Sequence, residues 1–197
     1  MTRIYLDTET TGLSPARGAA IVEVAAVVTD DDGGELSVYQ SLVNPGPAAM
    51  NEPHVDEALR VNGITRDEIA RADAAGVVAG RLYAFLLYAY FLHEARGVTL
   101  HSFNVSFDTD FLGRPPWVLP RRRWDECVMT AAMVEMGAAG ALPRFERGRF
   151  KWPKLSEAVA FYRVRVDGAP HRALGDARAA AAIHQAILEH RAAKRQS

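Results

Sequence analysis

Arg3-Ile4-Tyr5-Leu6-Asp7-Thr8-Glu9-Thr10-Thr11-Gly12-Leu13 opens the 197-residue chain as an apolar stretch running into two acids and a Thr-Thr-Gly turn. Arg3–Asp7 reads as a strand, and residues two apart on a strand point to one face, so Asp7 and Glu9 project together at its end. Two carboxylates that close repel and raise each other's pKa unless a cation lies between them. Oxygen-only ligands suit hard divalent ions such as Mg2+ or Mn2+. Taken alone, the pair reads more readily as solvated acids at a strand end, because short motifs carry false positives.

Outward from this strand, Ala20–Thr29 is a β-branched run, Asp30–Gly34 is a hairpin turn signal and Leu36–Val43 returns as a third strand. Asn44–Pro53 is a loop, with short helical segments around Asp56–Val61 and Arg66–Ala70. A long apolar helix covers Ala74–Ala95, a strand Val98–Phe103, and helices Phe107–Leu112, Asp125–Met136, Lys154–Tyr162 and Ala173–Arg191. Strands first, then helices alternating with further strand, predicts an α/β domain with a mixed central sheet flanked by helices.

Two more acidic segments join the first. In Asn104-Val105-Ser106-Phe107-Asp108 the acid falls near a helix N-terminus, where the dipole steadies a carboxylate. Asn104 reads equally as a plain cap. Phe107 reads as core or as a surface on which a terminal base stacks. In His171-Arg172-Ala173-Leu174-Gly175-Asp176 the acid lies on a helix face with Ala180, Ile183 and Ile187, a stripe that would pack on the sheet. His171 precedes that helix in a segment broken by Gly168 and Pro170. Histidine is the side chain that titrates nearest neutral pH, which suits a general base for water. The other histidines (His54, His93, His101, His184 and His190) lack this spacing to an acid and read as structural.

In order and internal spacing, the three strings resemble the DEDDh branch of the DnaQ-like 3′–5′ exonucleases, a family that includes ribonuclease T. The resemblance spans nearly the whole chain and implies a single exonuclease domain over 1–197 with a ribonuclease H-like fold. It also implies two divalent cations, Mg2+ or Mn2+, held by Asp7, Glu9, Asp108 and Asp176. Asp7 would bridge both, Glu9 and Asp176 would complete one shell, and Asp108 would support the other. His171 would take a proton from the attacking water, and nucleoside 5′-monophosphates would leave from a single-stranded DNA or RNA 3′ end. Backbone at Thr10 and Thr11, the Leu13 side chain, Asn104 and Phe107 would meet the terminal nucleotides. Arg172 stands where the tyrosine branch would place its tyrosine. One departure is that His101 stands three residues before Asn104, whereas many relatives place it immediately before.

Composition fits this reading. Apolar residues make up 49% and charged residues 24%, an ordinary globular balance. Residues 1–73 carry 5 Lys/Arg against 13 Asp/Glu, a balance of −8, while residues 74–197 carry 18 against 11, a balance of +7. An acidic metal face beside a basic strand-holding surface would produce such a split, as would solvated charge. Cys127 stands alone, which excludes an internal disulfide and a thiolate metal site and fits a reducing cytoplasm. The chain runs from Met1 straight into the first motif, leaving no room for a signal peptide ahead of it. Leu82–Leu92 is the longest apolar run, shorter than the ~20 residues a span needs. With Tyr83, Phe85, Leu87, Tyr90 and Phe91, the helix around it reads as wholly buried or shared with a second subunit in a homodimer. Arg144–Lys154 interleaves cations with aromatics and reads as a strand-binding segment or an ordinary basic loop; Arg121-Arg122-Arg123 is a second such candidate.

Three function classes remain. The first is a free-standing 3′–5′ exonuclease, with a polymerase-associated proofreading subunit as its variant. The second is a non-catalytic nucleic-acid-binding module on the same fold, which predicts loss of at least one of the five residues. The third is an assembly protein built around the apolar helix, which leaves the acids unexplained.

Overall fold

The computed structural model describes residues 2–93, 97–145 and 148–196. Among them, four strands form one sheet in the order β3-β2-β1-β4: β1 (Thr2–Thr10), β2 (Ile21–Thr29), β3 (Glu35–Leu42) and β4 (Val98–His101). β1 pairs antiparallel with β2 and parallel with β4, and β2 pairs antiparallel with β3. The sheet is therefore mixed, as the order of elements predicts. Every residue of β2 is buried, which explains why it reads as a near-continuous Ile/Val/Ala run. The Asp30 carboxylate accepts from the backbone N–H groups of Asp32 and Gly34, closing the β2–β3 turn.

Each face of the sheet carries helices. On one face, Ile4, Leu6, Val24 and Ala26 pack with Val78, Leu82 and Leu86 of α4 (Ala75–His93) and Leu112 of α5 (Val105–Leu112). On the other, Tyr5 and Val27 pack with α6 (Val128–Ala138), α7 (Leu155–Tyr162) and α8 (Ala173–Gln196). Three short helices, α1 (Pro47–Met50), α2 (Val55–Asn62) and α3 (Arg66–Arg71), fill the β3–α4 connection. A Thr65–Glu68 capping box starts α3.

The structure redraws several boundaries. β1 runs on to Thr10, beyond the expected end at Asp7, so Glu9 lies within the strand. β4 stops at His101, and α6 begins at Val128 instead of Asp125. The cause is shared: Asp125, Val128 and Met129 donate backbone N–H groups to Leu100, Ser102 and Phe103, which holds this stretch against the strand end. α4 is not wholly buried. Val78, Leu82, Leu86 and Ala89 face the core, whereas Leu87, Tyr88, Phe91 and Leu92 are exposed. At 19 residues the helix exceeds its Leu82–Leu92 run and could cross a membrane by length and composition alone, yet its inner face packs on the sheet. Glu94–Arg96, including the expected end at Ala95, lie outside the described residues, as do Glu146 and Arg147 of the basic segment.

In the rest of that segment, Arg144 lies over the Phe150 ring at 4.8 Å and Lys151 pairs with Glu157. Phe150 packs half-buried against the core, while Phe145 and Trp152 are exposed. The structure thus divides the segment between packing and open surface.

Behind the sheet, α8 is pinned by a buried polar network. The His184 Nδ1 shares a hydrogen bond with the Tyr5 hydroxyl at 2.9 Å, and its Nε2 faces Glu126 at 3.5 Å. His101 lies 4.7 Å from its ring, and Arg191 holds Glu126 by two hydrogen bonds. Burial, then the neighbouring His101, pushes the His184 pKa down to about 4; Glu126 opposes this and Arg3 adds to it. Because the folded pKa lies below the unfolded value near 6.5, this contribution to stability is full above about pH 6.5. It is lost as pH falls toward 4, a difference on the order of 2–3 kcal/mol. Denaturant unfolding of wild type and His184→Gln at pH 7.5 and 5 isolates it. The stability gap between the two should shift against wild type at pH 5, and parallel curves would exclude the network as its source.

Candidate active site

β4 pairs with β1 only along Thr2–Tyr5, so the last residues of β1 project past the end of their parallel neighbour. The chain leaving β4 turns into α5 beside that open edge. The Asn104 side chain accepts from the Phe107 N–H at 3.4 Å and caps α5, so the cap reading of Asn104 holds. One turn on, Asp108 is buried and accepts from the Thr8 hydroxyl at 2.9 Å.

From the other face, α8 crosses β1 and β2. Ala173, Ala177 and Ala180 are fully buried, and their small side chains allow a close approach to the strands. This brings Asp176, in the first turn, to Asp7 and Glu9. Carboxylate oxygens of the three lie within 4.8 Å of one another. Two oxygens on one Mg2+ lie about 3 Å apart when adjacent and about 4.2 Å apart when opposite, so the three carboxylates could share an ion by drawing in around it. Asp108 is not part of this trio but interacts electrostatically with Asp7.

The electrostatics point the same way. Burial and then the charges of Asp108, Glu9, Asp176 and Glu23 push the Asp7 pKa well above the usual carboxylate range. Burial, then Asp176, Glu23 and Asp108, push Glu9 up to about 8, with Arg172 opposing. Burial takes Asp108 up to about 7 against the Thr8 hydrogen bond. Asp176 is raised by burial, opposed by His171. Such a cluster is strained when bare and suited to divalent cations, which would neutralise it. The donor set, all carboxylate, fits hard ions.

Beside the cluster opens a cleft of about 610 Å³ lined by Thr8 to Ser14, Arg17, His54, Asn62, Phe107 and His171. Leu13 is 89% exposed at its wall, and Phe107 packs half-buried against Phe111. Thr10 and Thr11 also line it, but several of their polar groups are spent internally. The Thr10 hydroxyl donates to the Gly12 carbonyl, and the Thr10 carbonyl accepts from Asn62. The Thr11 N–H and hydroxyl both bond Ala20.

His171 is exposed on the cleft with φ +58°, in a loop folded tightly over the start of α8. Gly168 and Gly175 permit that closeness, since a Cβ on Gly175 would lie 2.5 Å from the Ala169 carbonyl oxygen. Gly175→Ala should therefore displace the loop. A shift of about 1 Å at a reacting group costs on the order of 10²-fold in rate, which a turnover assay on this variant would read. Full activity would mean that the loop's position is unimportant.

Two neighbours escaped the sequence reading. Thr8, alternating with the two acids, holds Asp108. Glu23 lies directly across from Glu9 in the β1–β2 register and is completely buried. Its only signal was a lone charge inside an otherwise apolar strand.

Comparison with known proteins brings the chain to exonucleases. The RNase T family model, described as Exonuclease, matches residues 4–184. The uncharacterized exonuclease CP81 of Escherichia phage 186 is 30% identical over 97% of the chain and 90% of its own length. A DNA polymerase III subunit epsilon-like protein of Rhodobacter capsulatus is 32% identical over 72% of the chain. This chain spans 18% of that relative's length, and 17% of the 3′-5′ exonuclease DinG of Bacillus subtilis. In fold, the chain is similar to the cell-death related nuclease CRN-4 (TM-score 0.71, 17% identity, 96% of this chain and 64% of that one). It is equally similar to E. coli Exonuclease I in complex with a dT13 oligonucleotide (TM-score 0.71, 16% identity, 98% and 41%).

Proposed function

Since this chain belongs to the RNase T exonuclease family, we propose that it is a metal-dependent 3′–5′ exonuclease releasing nucleoside 5′-monophosphates from single-stranded DNA or RNA. The observation that carries this reading is the meeting of Asp7, Glu9 and Asp176, with Asp108 alongside, next to a cleft that Glu9 and His171 line. The fold shared with an oligonucleotide-bound exonuclease supports it.

Asp7 interacts electrostatically with Glu9, Asp176 and Asp108 and would be the ligand common to two cations, with Glu9 and Asp176 on one and Asp108 on the other. Bound there, Mg2+ or Mn2+ would stabilise negative charge on the scissile phosphate and activate a water. The chain's own groups do the rest. Leu13 and Phe107, both on the cleft, hold the last bases of the strand. His171 accepts the proton of the attacking water, whose oxygen joins phosphorus as the P–O3′ bond breaks. Its exposure lets that proton pass to solvent. The displaced 3′ oxygen takes a proton from solvent water and stays with the shortened strand as its new 3′ hydroxyl. Association with a polymerase has one observation behind it, the Rhodobacter capsulatus relative.

The test is a time course on 5′-labelled single-stranded DNA and RNA with Mg2+, Mn2+ or EDTA. A ladder shortening from the 3′ end with either metal and absent in EDTA is expected. Intact strands under both metals, despite measurable binding, would replace the enzyme with a binding module.

A further inference from the structure

We propose that Glu23 and Arg172 form a positioning pair that holds His171 in its left-handed backbone conformation and so keeps its imidazole over the carboxylate cluster. What His171 does there rests on the exonuclease reading; the clamp itself does not.

A non-glycine residue at φ +58° is disfavoured and persists only where its surroundings over-determine it. The His171 side chain is exposed, so packing does not supply that constraint. The next two residues do. Arg172 grips the Glu23 carboxylate with two prongs, Nε to Oε2 at 3.0 Å and Nη2 to Oε1 at 2.7 Å. The Ala173 N–H donates to Oε2 at 2.9 Å. Gln40 on β3 donates to Oε1 at 2.8 Å, so the buried carboxylate is surrounded by donors from β3 and from the start of α8. Saturation of this kind is what a charge buried in an apolar strand requires. A forked guanidinium fixes orientation as well as distance, which a lysine would not reproduce.

The site shows what this orientation serves. Arg172 is the last residue before α8, and its carbonyl accepts the Asp176 N–H at 3.0 Å. Asp176 is also held by the buried Ala177 and Ala180, which follow it in the helix. The exposed His171 side chain lacks such burial; besides the fork, its backbone bonds the Asp176 carboxylate and its loop packs against Gly175. Loss of the Arg172 fork should loosen His171 while the buried alanines keep the metal-binding acids in place.

The experiment is a double-mutant cycle of His171→Ala and Arg172→Ala, read as single-turnover rate, KM and Mn2+ affinity. Arg172→Ala should lower the rate roughly 10- to 100-fold, with KM and Mn2+ affinity within about twofold of wild type. In the His171→Ala background the same change should cost less than about twofold, since the group it positions is gone. Arg172→Lys should recover only part of the loss. An equal loss in both backgrounds, or none in either, would overturn the pair. Should Arg172→Ala fail to fold, Glu23→Gln, which keeps the shape and removes the charge, takes its place in the cycle. The His171 ring and amide resonances supply a readout that needs no turnover. They should shift and average in Arg172→Ala, and unchanged resonances would overturn the pair. If wild type proves inactive while those resonances move, the exonuclease reading fails and the clamp stands.

Discussion

Asp7→Asn is expected to lower the rate of nucleotide release by on the order of 10³-fold or more while making the metal-free protein more stable. Both effects come from one carboxylate. Asp7 sits among Glu9, Asp176 and Asp108, and burial with their charges raises its pKa well above the ordinary value. A group whose folded pKa is raised gives its full stability below the unfolded pKa, and that stability is lost as pH climbs through the folded value. Near pH 7.5 the bare cluster therefore carries a cost, and a neutral, isosteric asparagine relieves part of it, roughly 1–3 kcal/mol. For a chain of this length that is an upward shift of several degrees in Tm. Thermal unfolding in EDTA, beside turnover in Mg2+, checks both halves. Mg2+ should raise the Tm of wild type and do little for Asp7→Asn, because a ligand that binds only the folded state stabilises it by mass action. A variant both inactive and less stable in EDTA would mean that Asp7 supports the fold rather than a cation.

His171→Ala gives a second large effect of a different kind. Removing a positioned general base costs typically ~10²–10⁴-fold. Because His171 is exposed and lies outside the group of clustered oxygens, the loss should fall on kcat, with KM and the Mg2+-induced rise in Tm unchanged. The contrast with Asp7→Asn separates proton transfer from metal binding. Loss of the Mg2+ response in His171→Ala would place the histidine among the ligands instead.

The five site residues were legible because each lies in a short string whose spacing is itself a signal. Asp7 and Glu9 share a strand face, Asp108 follows a cap, and Asp176 follows His171 into a helix of small residues. The strands and helices were legible from period and turn residues, and the RNase T match over residues 4–184 agrees with the family read from those strings. What was not legible depends on register or on distant partners. Glu23 acquires its place only when β1 and β2 align it with Glu9, and its partner Arg172 lies 149 residues away. The Tyr5–His184 bond joins the first strand to the last helix. α4 is apolar on both sides, so no pattern in it could tell the packed face from the exposed one.

The account's central claim, that this cluster uses metal ions to hydrolyse the 3′-terminal phosphodiester, is tested most directly by an oligonucleotide with sulfur replacing one non-bridging oxygen of that phosphate. Mg2+ binds sulfur poorly and Mn2+ tolerates it better. For one of the two diastereomers, the predicted result is release slowed strongly in Mg2+ and largely restored in Mn2+, with the unmodified strand cut well in both. Equal rates for sulfur and oxygen in Mg2+, or a slowing that Mn2+ leaves unchanged for both diastereomers, would contradict contact between the metal and the scissile phosphate.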